Sequence, residues 1–221
     1  MDLSTKVWKV YDDKNNSFST ASFENNKFLT NYWGYDFVYR EIYNWENSPT
    51  GCIYEMWNCQ IRDEDVVVDL GANVGFFTAR AAKKASRVIG VDGSPEAYSC
   101  LVENCKDLPN VQTLNASILS EESNPSWLWS YKGNPLRMTL EEMMSLYELE
   151  KIDFIKCDIE GGEYDLFSSL SLETLSKIDR IAIETHDENK NLDFYLPGKI
   201  RHSFYWNYEG GTQTMFYFVT P

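Results

Sequence analysis

The stretch from Asp65 to Phe77, DVVVDLGANVGFF, constrains the fold of this chain more than any other. Its continuous apolar run is typical of a strand buried inside a parallel sheet. Asp69 and a turn with two glycines, Gly71 and Gly75, follow, and a helical pattern starts directly after the turn. In open α/β sheets ligands bind at the carboxyl ends of such strands, where glycines let a ligand approach the backbone. The segment therefore predicts a parallel sheet with a ligand-binding turn.

Strand-like and helix-like patterns alternate about five times after residue 51, and a hairpin pattern ends the chain. Alternation of this kind predicts a mostly parallel sheet with helices on both faces. A glycine pair at 210–211 between two apolar runs predicts a terminal antiparallel hairpin. The expected strands after the first are Val88–Val91, Val111–Ile118, Ile152–Cys157, Ile181–Glu184, Ile200–Trp206 and Met215–Val219.

Three segments show helix signals. Pro95 is a favoured first helical residue, and apolar side chains follow it at helical spacing. Thr139 and Glu142 form a capping box, which predicts a helix start. The apolar spacing after Cys52 predicts a further helix that runs to about Gln60.

Residues 1–50 differ from the remainder because they are rich in asparagine and aromatic side chains. Their short alternating runs predict strands and loops, and they are too few to bury a core of their own. We expect an N-terminal extension or lid at 1–50 and one cofactor-binding domain at 51–221.

The charge balance excludes some classes of partner. The 221 residues include 34 acidic and 20 basic side chains, so the net charge is −14. Such a chain is a poor general binder of nucleic acid or anionic membranes. Five cysteines without a CxxC pair indicate free, buried thiols, and no apolar run is long enough for a membrane span. We therefore expect a soluble, cytoplasmic protein.

Two acidic residues flank the glycine turn and narrow the ligand class. Asp69 precedes the turn, and Asp92 ends the next strand, 92 − 69 = 23 residues later. An acid at the latter place can hold two ribose hydroxyls. The GxxxG spacing differs from the GxGxxG of dinucleotide sites. An acid beside the turn suits a cationic ligand, such as the sulfonium region of S-adenosylmethionine.

Four sequence blocks resemble one known family. They are Asp65–Phe77, Val88–Tyr98 (VIGVDGSPEAY), Met138–Phe167 (with IDFIKCDIEGGEYDLF) and Ile181–His186 (IAIETH). The first resembles motif I of class I S-adenosylmethionine-dependent methyltransferases, and the set resembles the FkbM-type methyltransferases. The resemblance implies a Rossmann-like α/β fold with a mostly parallel, seven-stranded sheet and a C-terminal antiparallel hairpin.

The resemblance also implies the cofactor-binding residues. The turn would line the methionine part of S-adenosylmethionine, Asp92 would hold the ribose, and the end of the third strand would flank the adenine. The chain has Asp-Gly-Ser-Pro at 92–95, where the family more often has Glu-Pro-x-Pro. The implied set is Asp69, Gly71, Ala72, Asn73, Gly75, Phe76, Asp92, Gly93, Ser94, Asn115, Ala116 and Asp158. The Tyr54-Glu55 pair also resembles a pair that precedes motif I in the family, which would bring Glu55 to the cofactor.

Two neighbouring strand ends place ionisable groups at the same edge of the sheet as the turn. They supply Asp158, Glu160, Glu184 and His186. Asp158, His186 and Glu160 are the candidate catalytic residues, with Asp158 or His186 as general base. Alternatively, Asp158, Glu184 and His186 hold a divalent cation, although hard cations prefer all-oxygen sites, and no metal is predicted. A third interpretation is that Glu160 and Glu184 are structural residues, which hydrogen-bond within the turns where each strand passes into a loop. Lys156 is expected to form an ion pair with one of these acids.

The sequence thus predicts an S-adenosylmethionine-dependent O-methyltransferase. Its expected acceptor is a small molecule or glycan, most simply a sugar hydroxyl, and nucleic acid is not expected. An NAD-dependent oxidoreductase on a related fold is one alternative. A cofactor-binding module without catalysis is the other.

Overall fold

The computed structural model describes residues 6–12, 16–24, 27–29, 52–120, 136–186, 192–208 and 211–221. A small antiparallel sheet comes first along the chain, in the order β1-β2-β3. Its strands are β1 (Trp8–Asp12), β2 (Ser17–Glu24) and β3 (Lys27–Leu29).

The main sheet has eight strands in the described part of the chain. Their order is β10-β11-β9-β8-β4-β5-β6-β7. The central strands pair in parallel, while β11 pairs antiparallel with both β9 and β10. The strands are β4 (Val66–Leu70), β5 (Arg87–Asp92), β6 (Val111–Ile118), β7 (Leu136–Met138), β8 (Ile152–Cys157), β9 (Ile178–Thr185), β10 (Ile200–Tyr208) and β11 (Gly211–Val219).

Helices cover both faces of this sheet. Val67 of β4 packs into one apolar cluster and its neighbour Val68 into the other, because successive side chains of a strand point to opposite faces. The first cluster includes residues of α1 (Phe76–Ala81), α2 (Pro95–Cys105) and β1. The second includes residues of α3 (Leu140–Leu146), α4 (Glu163–Ser169) and α5 (Leu172–Ser176). The predicted Rossmann-like α/β fold is confirmed.

Several local predictions are confirmed as well. Pro95 is the first residue of α2, and the Thr139–Glu142 capping box starts α3. The terminal hairpin forms, and all five cysteines are free and buried. No helix among the described residues is long and apolar enough to cross a membrane.

Two predictions need correction. The main sheet has eight strands where seven were expected, because Leu136–Met138 adds a short edge strand to β6. Residues 52–60 form turns where a helix was expected, since Trp57 and Asn58 have φ values of 46° and 66°. Tertiary packing buries the side chains of Cys52, Ile53, Tyr54 and Cys59, while Trp57 is exposed. The Tyr217 hydroxyl donates to the Ile53 carbonyl.

The buried side chain of Asn104, in α2, connects β1 to the main domain by hydrogen bonds. The Asn104 side chain accepts a hydrogen bond from the Lys9 amide at 2.7 Å and donates to the Lys9 carbonyl at 2.8 Å. It also donates to the Val74 carbonyl at 2.7 Å, in the turn that follows β4. Trp8 packs edge-on against Phe76, with ring centroids 4.7 Å apart. Residues 30–50, the C-terminal part of the predicted lid, lie outside the described residues, as does residue 51.

Candidate active site

The turn after β4 is shaped by its contact with the end of β8. Gly71 has a φ of +74°, and a Cβ at this position would lie 1.7 Å from the Asp158 carbonyl oxygen. The Asp158 amide donates to the Leu70 carbonyl at 3.1 Å. The Gly71 and Ala72 amides donate to the Val91 carbonyl at 3.0 and 2.9 Å. The predicted cofactor turn is therefore in direct backbone contact with the predicted catalytic strand end.

Asp92 organises the second side of the turn. Its two carboxylate oxygens accept hydrogen bonds from the Asn73 amide at 2.7 Å and the Ser94 amide at 2.8 Å. The Asn115 side chain donates to the Asp92 backbone carbonyl at 2.8 Å. Burial raises the pKa of Asp92 to about 6, against the effect of these amides. Each oxygen retains a further lone pair, which a ribose hydroxyl can use.

The Asp69 carboxylate is fully buried beneath the turn. One oxygen accepts a hydrogen bond from the Thr78 hydroxyl at 2.6 Å, and the other lies 3.2 Å from Lys156 Nζ. Lys156 also donates to the Gly71 carbonyl at 2.6 Å. Burial opposes the charged form of Lys156, but Asp69 and Asp158 outweigh it and raise its pKa. Asp69 therefore holds the turn through Lys156. The ion pair predicted for this lysine is present with Asp158, whose Oδ2 lies 3.8 Å from Nζ, but Asp69 is the nearer partner and was not expected.

The Tyr54 hydroxyl joins two of the predicted acids. It lies 3.1 Å from Asp158 Oδ2 and 3.0 Å from Glu184 Oε2. Burial, followed by the charges of Asp158 and Glu184, raises the pKa of Tyr54 well above its ordinary value. Burial and the Asp158 charge likewise raise the pKa of Glu184 to about 8. Burial and the surrounding negative charge thus favour the neutral forms of Glu184 and Tyr54.

His186 lies among three carboxylates. Its Nδ1 is 3.1 Å from Glu163, its Nε2 is 3.3 Å from Glu160, and the same Nε2 is 3.9 Å from Asp158. Burial opposes the charged ring, but the Glu163 hydrogen bond and the surrounding charges raise the pKa of His186 from 6.5 to about 9. The ring is therefore an imidazolium at neutral pH.

The charge of the His186 ring affects whether the site can hold a metal ion. Asp158, Glu160 and His186 each offer a donor atom, and these atoms lie within 4.8 Å of one another. A metal ligand must be a neutral imidazole with a free lone pair. Without a bound ion, both ring nitrogens of His186 face carboxylates and the group forms an ion-pair cluster. A cation held by Asp158, Glu160 and His186 would displace the ring proton.

We expect the stability of the fold to fall as the pH rises through about 9. The raised pKa of His186 favours the folded state below pH 6.5, and this contribution is lost as the pH rises through 9. The shift corresponds to at most about 3 kcal/mol. Urea denaturation between pH 6 and 10 measures it, and His186→Gln should reduce the slope. Equal slopes in both proteins would contradict the imidazolium assignment.

The other predicted cofactor residues occupy different surroundings. Gly75, with a φ of +92°, lies against Leu101 and Cys105 of α2, so it allows close helix packing. The side chains of Phe76 and Ala116 are buried in the two apolar clusters. Gly93 and Ser94 form the bend into α2, and Ser94 caps that helix.

Two residues of the site were missed from the sequence. The Tyr54 hydroxyl reaches Asp158 and Glu184. Its neighbour Glu55 accepts the Ile61 amide and pairs with Arg80. Glu163 is fully buried and accepts the amides of Ile159 and Gly161. A glutamate directly after a glycine pair, at the start of a helix, is the sequence signal that could have indicated that Glu163 belongs to the site.

A comparison with protein families assigns the chain. The methyltransferase FkbM domain matches residues 69–209, which covers more than half of the chain. This protein belongs to the FkbM methyltransferase family. The family match confirms the resemblance that the four sequence blocks indicated.

Curated relatives match a shorter part of this FkbM methyltransferase. The tRNA (guanine(37)-N(1))-methyltransferase of Aedes aegypti is 34% identical over 82 residues, 29% of this chain and 15% of that protein. The enzyme of the same name from Xenopus tropicalis is 36% identical over 80 residues, 36% of this chain and 16% of that protein. The chain therefore spans about one sixth of the length of these relatives.

Solved structures resemble it at low sequence identity. Precorrin-6y C5,15-methyltransferase from Geobacter metallireducens is 11% identical with a TM-score of 0.49, covering 73% of this chain and 84% of that one. An rRNA methylase from Streptococcus thermophilus is 14% identical with a TM-score of 0.49, covering 87% and 99%.

Proposed function

We propose that this FkbM methyltransferase transfers a methyl group to a hydroxyl oxygen of a sugar or glycan. The contact between the cofactor turn and the acid cluster supports the proposal. Lys156 reaches from β8 to the Gly71 carbonyl, and Asp158 follows two residues later. A hydroxyl bound at the acids would therefore lie next to the expected cofactor site.

The residues of the turn fit the expected cofactor. Asp92 has acceptor capacity for ribose hydroxyls, and Gly71, which has no Cβ, lets the turn lie directly against the end of β8. When bound, S-adenosylmethionine supplies an electrophilic methyl group on a sulfonium sulfur. We assign Asp69 to holding the turn through Lys156 rather than to direct contact with the cofactor, because its carboxylate is fully buried.

We assign Asp158 as the proton acceptor. Its Oδ2 faces Tyr54, while the buried Oδ1 has no hydrogen-bond partner among the described residues. A hydroxyl donor would satisfy that oxygen, and buried polar groups in proteins are normally satisfied. Asp158 would take the hydroxyl proton as the oxygen becomes nucleophilic.

His186 and Glu160 support this role. The imidazolium of His186 has no lone pair with which to accept a proton at neutral pH, so we give it an electrostatic role beside Asp158. The side chain of Glu160 is exposed at the edge of the cluster. It is placed to accept a hydrogen bond from a second hydroxyl of a polyhydroxylated acceptor.

The charge of the site favours a neutral acceptor. At the reactive edge the carboxylates of Asp158, Glu160 and Glu163 outnumber the His186 cation, and the net charge of the chain is −14. Among the described residues, the lysine beside them, Lys156, is buried and paired with Asp69. A phosphate backbone would meet repulsion here. The similarity to tRNA methyltransferases nevertheless makes an RNA base the second candidate acceptor.

Binding of S-adenosylhomocysteine tests the cofactor site. We expect micromolar affinity by calorimetry and no heat with NAD. Asp92→Ala should weaken binding by about ten- to a hundredfold, because hydrogen bonds to charged groups contribute about 1.5–3 kcal/mol. Asp107→Ala, which removes an exposed acid, should bind as the wild type does. Unchanged affinity in Asp92→Ala would contradict the assignment.

An acceptor screen tests the substrate class. Monosaccharides, oligosaccharides, simple alcohols and unmodified tRNA would be incubated with radiolabelled S-adenosylmethionine. We expect the label in sugars, and we expect it to survive alkaline treatment, because a methyl ether is stable to base. Label in tRNA and not in sugars would replace the sugar assignment with the RNA one.

The domain division and the cellular location complete the proposal. We retain 51–221 as the cofactor-binding domain, although β1 is fastened to α2 through Asn104. Free thiols at all five cysteines favour a reducing compartment such as the cytoplasm.

A further inference from the structure

The hydrogen bonds of Tyr54 define how many protons the acid cluster holds. Its hydroxyl is within hydrogen-bond distance of both Asp158 Oδ2 and Glu184 Oε2. A phenol carries one proton, so it can donate to only one of two carboxylates. With both acids ionised, one carboxylate oxygen would face the phenol oxygen without a proton between them. One additional proton, on Asp158 or on Glu184, would give each of the two short contacts a hydrogen.

The surroundings of the two acids differ. Asp158 has Lys156 Nζ at 3.8 Å and His186 Nε2 at 3.9 Å, and its side chain is 23% exposed. Glu184 is buried and makes no ion pair within 4 Å to another described residue. A negative charge is therefore stabilised much better on Asp158 than on Glu184.

The groups that face Glu184 come from three packed elements. The turn at 52–60 contributes Tyr54. Lys156 lies on β8, and Asp158 directly follows that strand. His186 directly follows β9, the strand of Glu184, and the apolar Met215 of β11 pairs with Glu184 in the sheet. Lys156 and His186 act on Glu184 less strongly than burial and the Asp158 charge, which together raise the pKa of Glu184 to about 8.

We propose that Glu184 carries the additional proton and donates it to the Tyr54 hydroxyl, which in turn donates its own proton to Asp158. This arrangement leaves Asp158 as the ionised acid and fixes the direction of its Oδ2. Its catalytic meaning rests on the proposed function: Tyr54 and Glu184 are positioning residues that keep Asp158 charged and oriented as proton acceptor.

Infrared difference spectroscopy tests this assignment directly. The carbonyl band of a protonated carboxyl group should be present in the wild type at pH 7 and disappear with a midpoint near pH 8. Glu184→Gln should lack the band. Asp158→Asn should retain it, with a midpoint at lower pH because the Asp158 charge is gone. Glu150→Gln, which changes an exposed glutamate, should leave the spectrum at pH 7 unchanged.

Two results would overturn the proposal. Loss of the band in Asp158→Asn and its survival in Glu184→Gln would place the proton on Asp158. Absence of the band in the wild type at pH 7 would mean that both acids are ionised, and this result needs no variant to fold. The spectra are taken without cofactor or acceptor. Failure of the proposed function would instead appear as missing S-adenosylhomocysteine binding or missing transfer, so the two failures are distinguishable.

Discussion

Gly71→Ala should destabilise the protein by more than about 3 kcal/mol and abolish cofactor binding. The new Cβ would lie 1.7 Å from the Asp158 carbonyl oxygen, so the turn or the end of β8 has to move. The positive φ of +74° adds a cost of about 1–2 kcal/mol for any L side chain. Urea denaturation and calorimetry with S-adenosylhomocysteine measure the two effects.

Gly198→Ala is the matched control for this substitution. Gly198 also has a positive φ, +79°, but a Cβ there would have no neighbour within 4 Å. It should therefore show only the backbone cost of about 1–2 kcal/mol and unchanged cofactor binding. Similar losses of stability in both variants would contradict the close approach between the turn and the Asp158 carbonyl.

Lys156→Met should cost about 3–5 kcal/mol of folding stability. The substitution leaves the fully buried Asp69 carboxylate without its cation and removes the hydrogen bond to the Gly71 carbonyl. Breaking one side of a buried ion pair is expensive because the remaining charge stays desolvated. The free energy of unfolding from urea denaturation measures the loss.

Two further variants separate the buried pair from a general effect of losing a lysine. Lys177→Met removes an exposed ion pair with Glu173 and should not change stability measurably. The double variant Asp69→Asn/Lys156→Met should recover part of the loss, with a coupling energy of more than about 1 kcal/mol. Additive effects of the two substitutions would show that the pair is not coupled.

The central part of the fold was predictable because its signals are local. The apolar run of β4, the proline of α2 and the capping box of α3 each specify structure within a few residues of chain, and all three elements form as expected. The segment at 52–60 was not predictable in the same way. Its apolar spacing matches a helix, yet Cys52, Ile53 and Cys59 are buried through contacts with distant elements.

The candidate site shows the same division. The sequence placed Asp158, Glu160, Glu184 and His186 at one edge of the sheet, because parallel strand ends share an edge. Their charge states depended on neighbours that the sequence did not indicate. Glu163 and the other carboxylates favour a charged His186, and burial with Asp158 favours a protonated Glu184.

The sequence by itself therefore determined the parallel centre of the sheet, the glycine turn after β4 and the acids that lie at the same edge of the sheet, since periodicity and turn chemistry are local properties. Only the tertiary structure decided that Tyr54 bridges two acids, that Asp69 serves Lys156, and that His186 is an imidazolium. These outcomes depend on burial and on distances of a few ångströms between groups up to 130 residues apart. Local patterns along the chain do not encode such distances, because they arise when separate elements pack together.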